Sequence, residues 1–240
     1  MHQGRRIAVV VPAYNESKHI LRCLDTIPAF VDRVLVVDDA STDETARLVR
    51  EFADTRVELL RHSSNRGVGA AIISGYRRAH AAGMDVAVVM AGDGQMDPHD
   101  LPDLVQPILE DRADYVKGER LSWPDAHRVI PRLRLAGIQM LQVLTRLSTG
   151  LYHLRDFQCG YTALRLSVLD RIELSRVYPR YGFPNDFIAH LALAGARVAE
   201  TRVRPVYEGQ SSDLRIHRVA VPILLVLARS TGRRILSRSV

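Results

Sequence analysis

The chain has 240 residues, 47% of them hydrophobic and 25% charged, the profile of one large globular domain or a domain with an appendage, long enough to bury a sizeable core. Cys23 and Cys159 lie far apart without metal-ligand spacing, which reads as reduced core or loop thiols rather than a disulfide or a zinc site. The net charge of +6 favours polyanionic partners such as nucleotides and phospholipid head groups; no helix-turn-helix, zinc or aromatic RNA-binding signature accompanies it, so no nucleic-acid partner is expected.

Met1 to Arg6 runs into a strand-like segment without the apolar stretch of a signal peptide, which reads as a cytosolic start. Ile7–Val11 is a continuous apolar run ending at Pro12, suited to a buried parallel strand. Glu16 to about Phe30 has helical spacing through Ile20, Leu24 and Ile27. Val34–Val37 is a second strand and ends in Asp38-Asp39-Ala40-Ser41-Thr42-Asp43. Thr42 or Asp43 can cap a helix from Glu44 to about Ala53. Val57–Leu60 is a third strand, followed by Asn65-Arg66-Gly67-Val68-Gly69 and a helix to about Ala81. Val86–Met90 is a fourth, after which Asp97 fits an N-cap with Pro98 at the first helical position.

This β-loop-α alternation predicts a mostly parallel sheet with helices on both faces. The loops after its strands lie on one rim, so the polar clusters at Pro12, Asp38, Asn65 and Gly92 should converge there. Further on, Tyr115-Val116 reads as a short strand leading to Lys117-Gly118-Glu119-Arg120. A long helix covers roughly Pro131 to Ser148, and Asp156 to Tyr161 forms a polar loop before Thr162–Leu164. Tyr181 to Asp186 opens another helix, and Arg197–Val206 alternates like a strand.

Pro12-Ala13-Tyr14-Asn15-Glu16, Asp38 to Asp43, Asn65 to Ala70 and Gly92-Asp93-Gly94-Gln95 occur in this order at suitable spacing. Over about residues 5 to 210 the set resembles family-2 glycosyltransferases of the GT-A fold, and most closely the dolichol- or polyprenyl-phosphate mannose synthase group. The resemblance implies a donor site made of Pro12, Ala13, Tyr14, Asn15, Glu16, Asp38, Asp39, Asn65, Arg66, Gly67, Gly92, Asp93 and Gln95. Within it, Asp39 would meet the nucleobase edge while Asp38 contacts ribose or orders the loop. Ser41, Thr42 and Asp43 serve equally well as helix caps. The glycines of 65–69 permit close backbone approach, and Arg66 supplies a phosphate-compatible cation. A dinucleotide-binding reading fails because these glycines follow the third strand, not the first.

Asp93 and Gln95 offer hard oxygen ligands for Mg²⁺ or Mn²⁺ bridging a nucleoside diphosphate. Many members of the family carry Asp-x-Asp here, whereas this chain has Ala91-Gly92-Asp93, so the first carboxylate is missing. Arg120 with Arg132 or Arg134 resembles the basic residues that receive an acceptor phosphate, and solvated surface charge is the alternative for each. Gln158 would face the sugar and acceptor. Asp186 sits where inverting relatives carry a general base for a hydroxyl acceptor; a phosphate acceptor, already anionic, needs none. The alternative for Asp186 is an acid at a helix N-terminus. Gly209 to Ser212 resembles a loop closing over the diphosphate, with Asp213 where a Lys is common, and His217 reads as a surface histidine.

Residues 1–212 are thus expected to form the GT-A domain and 213–240 a basic, apolar helical appendage. From Leu214 to Val240 there is no acidic residue, while Arg215, Arg218, Arg229, Arg233, Arg234 and Arg238 all fall there. Val219–Ala228 is ten apolar residues, which at about 1.5 Å each covers half of an about 30 Å bilayer core. It fits an interfacial helix on anionic lipid, or a core or homodimer-interface helix. The expected activity is inverting, metal-assisted transfer of a sugar from GDP-mannose or a UDP-hexose to a polyprenyl phosphate, by a protein peripheral to the inner face of the membrane. Two alternatives remain: transfer to a hydroxyl acceptor with Asp186 as base, and an inert nucleotide-sugar-binding module.

Overall fold

In the computed structural model, residues 1–124, 126, 130, 132–206, 223–232 and 234 are described. Seven strands form one sheet: β1 (Ile7–Ala13), β2 (Arg33–Asp38), β3 (Val57–Arg61), β4 (Val86–Val89), β5 (Tyr115–Glu119), β6 (Thr162–Arg165) and β7 (Val198–Arg202), in the order β3-β2-β1-β4-β6-β5-β7. The first four run parallel, with Val10 beside Leu35 and Val89. β6 is inserted antiparallel to both β4 and β5, and β7 returns parallel to β5. The mostly parallel expectation therefore holds, with the one inversion at β6.

Every residue of β1 is buried, and its side chains divide by parity. Ile7, Val9, Val11 and Ala13 join the layer containing Ile20, Leu24, Leu101 and Leu104. Ala8 and Val10 join the layer containing Ile72, Tyr76, Phe183 and Phe187. Covering both faces is what turns a strand into an unbroken apolar run. One face is covered by α1 (Ile20–Asp25), α2 (Thr45–Glu51) and α4 (Leu101–Leu109), the other by α3 (Val68–Ala81) and α6 (Phe183–Leu193).

The helix expected from Glu16 to Phe30 forms only over Ile20–Asp25. Its would-be first turn is claimed by tertiary partners: Glu16 N donates to Thr45 Oγ1 at 2.8 Å and Ser17 N to the Asp43 carboxylate at 3.1 Å. Pro98–Asp100 makes a 3₁₀ turn before α4, with Asp97 accepting from His99 N as its cap. The helix read over Pro131 to Ser148 is α5 (Arg132–Thr149). Towards the C-terminus, residues 223–232 are helical, and Ile223 and Leu227 pack on Leu141 and Leu144 of α5. The boundary at 212/213, the Gly209–Ser212 loop, Asp213, Arg215, His217, Arg218 and Val219 to Pro222 lie outside the described residues, as do Arg233 and Arg238. No helix among the described residues is long and apolar enough to cross a membrane.

Candidate active site

The loops after β1 and β2 are laced together at the C-terminal rim. Pro12 and Ala13 are buried at the strand end, while Tyr14 and Asn15 are exposed. Asn15 and Ala40 both adopt left-handed backbone, φ 58° and 64°, a conformation that non-glycine residues keep only where surrounding contacts hold it. The contacts are evident: Asn15 N donates to Ser41 Oγ at 2.9 Å, and Asn15 Oδ1 accepts from Thr42 N at 2.8 Å. Asp43 accepts from Thr45 N at 3.0 Å, as a helix-start residue should. Burial alone would raise its pKa, but the hydrogen bonds from Thr45 and Ser17 outweigh this and hold it at about 2.

Asp38 and Asp39 point to different protein partners. Asp38 is buried, accepts from Ser41 N at 3.1 Å, and has the Arg61 guanidinium 2.9 Å from its other oxygen in an ion pair outside hydrogen-bond angles. It orders the loop. Asp39 accepts from Arg66 N at 2.9 Å, Gly67 N at 2.7 Å and His62 Nδ1 at 2.6 Å. Against the opposing effect of burial, these bonds keep its carboxyl below the usual range. Asp39 thus ties the second rim loop to the third, and a nucleobase edge meeting it would share oxygens already bonded to Arg66 and Gly67.

The glycines of the third loop serve the fold. A Cβ on Gly67, whose φ is +94°, would come within 2.8 Å of the Pro179 carbonyl oxygen, and one on Gly69 within 2.7 Å of Phe183. The close approach read from the sequence is to the segment entering α6, with Arg180 donating to Asn65. Arg66 itself is exposed on the rim.

After β4 the chain turns sharply. Asp93 Oδ1 accepts from Gln95 N at 3.0 Å, and Gly94 is left-handed. Glu16 faces this turn: burial first, then the charges of Asp93 and Asp43, push its carboxyl up to about 7. The rim therefore concentrates negative charge on a protein that is positive overall. Asp93 and Gln95 open into a cavity of about 180 Å³ whose walls include Arg120, Gln158, Tyr161 and Arg204.

Arg120 is held by a buried fork. Its Nε and Nη2 lie 2.8 and 3.1 Å from the two oxygens of Asp156, which is fully buried. Asp156 also accepts from Gln158 N at 3.1 Å and Cys159 N at 3.0 Å. Burial works to raise its pKa, yet Arg120 keeps that carboxyl below the ordinary range. Gln158 Nε2 donates to Asn185 Oδ1 at 3.0 Å, which also accepts from Thr145 Oγ1.

Asp186, the neighbouring acid, is placed elsewhere. It is fully buried, one oxygen accepts from Tyr178 N at 2.7 Å, and the other has no hydrogen-bond partner among the described residues. It stands in the first turn of α6 and is not among the residues that line the cavity. Arg132 and Arg134 begin α5, and their side chains lie outside the described residues. His62 and Arg204 carry no motif spacing, because each works through partners distant in the chain.

Whether these residues fit a divalent cation can be tested on their chemistry. Among the described residues no three His, Cys, Asp or Glu side chains converge on one point, so a closed protein cage is absent. A carboxylate at Asp93 and an amide oxygen at Gln95, beside Glu16, are hard donors that suit Mg²⁺ or Mn²⁺ completed by phosphate oxygens and water.

The sheet order, the inverted β6 and a polar rim after β4 define a GT-A glycosyltransferase fold. Mycobacterium tuberculosis glucosyl-3-phosphoglycerate synthase, solved with Mn²⁺, UDP and glucosyl-3-phosphoglycerate, superposes with a TM-score of 0.73 at 20% identity, over 95% of this chain and 81% of that one. Residues 8–173 match the model of glycosyl transferase family 2, and the chain belongs to that family. It is 33% identical over 216 residues to an undecaprenyl-phosphate mannosyltransferase of Micrococcus luteus, covering 82% of each chain. It is 28% identical over 216 residues to a UDP-N-acetylglucosamine–dolichyl-phosphate N-acetylglucosaminyltransferase of Methanococcus voltae, covering 84% and 86%.

The Asp156–Arg120 pair has a measurable signature. Asp156→Asn leaves the guanidinium without its counter-charge and is expected to cost about 3–5 kcal/mol at pH 7 in urea unfolding. Because the folded pKa is depressed, this contribution is present above the unfolded value of about 3.9 and is lost as pH falls through the folded one. The gap between wild type and Asp156→Asn should therefore close on acidification below about pH 4.

Proposed function

We propose that this protein moves a hexose from a nucleotide-sugar donor to a polyprenyl phosphate at a membrane surface. The observation that carries the proposal is the cavity that Asp93 and Gln95 share with Arg120 and Gln158. One side has the chemistry for a departing nucleoside diphosphate, the other for an anionic acceptor. In this reading Tyr14, Asn15, Asp39 and Arg66 on the rim bound the nucleoside side. Arg120, aligned by Asp156, orients the acceptor phosphate for in-line attack on the anomeric carbon, with inversion. Gln158, fixed through Asn185, orients the sugar. Asp93 and Gln95 would hold Mg²⁺ or Mn²⁺, which supplies charge neutralisation of the leaving diphosphate when bound.

Two features favour a phosphate over a hydroxyl acceptor. A hydroxyl needs a base within hydrogen-bond reach at attack, and Asp186 is sealed inside the start of α6. The relatives named for dolichyl and undecaprenyl phosphate extend over more than four-fifths of the chain. They differ in the sugar they are named for, so GDP-mannose and UDP-hexoses are both candidate donors.

The membrane part of the reading rests on a two-helix surface. α5 exposes Met140, Val143 and Leu147 along one side, and the packed helix 223–232 exposes Leu224 and Leu225, the last 66% accessible. Neither 126–155 nor 214–240 contains an acidic residue, although both are rich in arginine. Apolar side chains set among cations suit the interface of an anionic bilayer.

A donor panel of GDP-mannose, UDP-glucose and UDP-GlcNAc with polyprenyl phosphate and Mn²⁺, read by mass spectrometry, should give a glycolipid from one donor. Asp93→Ala should lower that transfer about 100-fold or more. No glycolipid from any donor would rule out the acceptor assignment. In a separate assay, Val143→Asp with Leu147→Asp should abolish co-sedimentation with phosphatidylglycerol vesicles. Undiminished sedimentation would discard the two-helix surface.

A further inference from the structure

Lys117 is fully buried in the middle of β5, with Glu200 beside it on β7 and Thr162 beside it on β6. Its ammonium donates to the Cys159 carbonyl oxygen at 2.8 Å. The charged and titratable groups that bear on it are Cys159, Asp156, Arg120 and Glu200. Burying a lysine in a sheet core is costly, and a methionine of similar length would fill the space without that cost. Simple packing therefore does not account for a lysine here.

What the cation touches is the back of the cavity wall. Residues 158–161 line the cavity, and their backbone is hung on buried charges. Glu200 accepts from Arg155 N and Asp156 N at 2.7 and 2.8 Å, Asp156 accepts from Gln158 N and Cys159 N, and Lys117 takes the Cys159 carbonyl. Lys117 is the member that fixes an acceptor oxygen; the carboxylates fix the donors. It also adds a cation to the local field: with Arg120 and Arg204 it offsets Asp93, Asp156 and Glu200, and removing it makes the cavity less attractive to a phosphate.

We propose that Lys117 is a positioning residue for a phosphoryl group in this cavity: from behind the wall it holds the Gln158–Tyr161 edge and supplies the charge that leaves the Arg120 guanidinium attractive to an anion. The inference rests on the reading of the cavity as a phosphate site and extends it to a residue that touches neither donor nor acceptor. Burial first, with Arg120 nearby, lowers the lysine's pKa, while Asp156 and Glu200 oppose this. Raising the pH should therefore weaken the effect before Arg120 itself can titrate.

The test uses the whole chain and its only tryptophan, Trp123, whose ring lies 5.4 Å from the guanidinium of the cavity residue Arg204. Inorganic phosphate and pyrophosphate are titrated into wild type, Lys117→Met and Lys117→Arg, following Trp123 fluorescence. Lys117→Met should bind about tenfold more weakly or worse, with Lys117→Arg within about threefold of wild type. In transfer assays, Lys117→Met should raise the acceptor KM more than it lowers kcat or alters the donor KM. A folded Lys117→Met with wild-type phosphate affinity, or no phosphate binding by wild type, overturns the proposal. Should Lys117→Met not fold, wild type and Lys117→Arg are compared between pH 7 and 10. Affinity that falls in wild type and holds in Lys117→Arg supports the inference, and parallel curves overturn it. Wild type that binds phosphate yet forms no glycolipid defeats the acceptor reading alone and leaves Lys117 standing.

Discussion

A buried ion pair between Asp156 and Arg120 joins the two halves of this molecule's chemistry. β5 brings the guanidinium and the loop before β6 brings the carboxylate, and their fork fixes both at 2.8 and 3.1 Å. The same carboxylate caps the backbone of Gln158 and Cys159. Because β6 is slotted antiparallel between β4 and β5, this loop is delivered next to the Asp93 turn at the end of β4. Breaking the pair would release Arg120 and the loop together. A surface ion pair would have little such effect, since solvent would take up both charges.

The other half of the rim is organised by backbone satisfaction more than by charge. Asp39 accepts two N–H groups and an imidazole, Asn15 and Ser41 close the first loop on the second, and Asp43 serves Ser17 and Thr45. Left-handed Asn15 and Ala40 are held in place by these bonds. The product is a rigid edge with Asp93 close enough to oppose the ionisation of Glu16. Such an edge is prepared for a cation, and so for a diphosphate carried with one.

Much of this was legible in the sequence, for identifiable reasons. The four parallel strands announce themselves because burial on both faces leaves unbroken apolar runs, each ending in a polar cluster. Asp93, Gln95, Arg120 and Gln158 carry motif spacing and do share one cavity. Periodicity through Ile20, Leu24 and Ile27 overstates the first helix, because it says nothing of the tertiary bonds that claim Glu16 and Ser17. The glycines of 67–69 look the same whether they make room for a ligand or for Pro179 and Phe183, and only the tertiary packing separates the two. Tyr115, Lys117 and Glu119 alternate as a solvent-facing edge would, yet all are buried, since the partners of the two charges come from residues 122, 159 and 200. Ala91 leaves no carboxylate two residues before Asp93, so in the proposed metal site Asp93 and Gln95 would be a short donor set.

In the proposed reaction, donor diphosphate, divalent cation and acceptor phosphate meet in one cavity between the Asp93 turn and the Arg120–Asp156 fork. The most direct measurement is a crystal grown with Mn²⁺ and the matching nucleoside diphosphate, with the metal located by its anomalous scattering. One strong peak bonded to Asp93 and to the diphosphate is expected, with Arg120 on the far wall. A diphosphate bound without metal near Asp93, or seated away from this cavity, would contradict it.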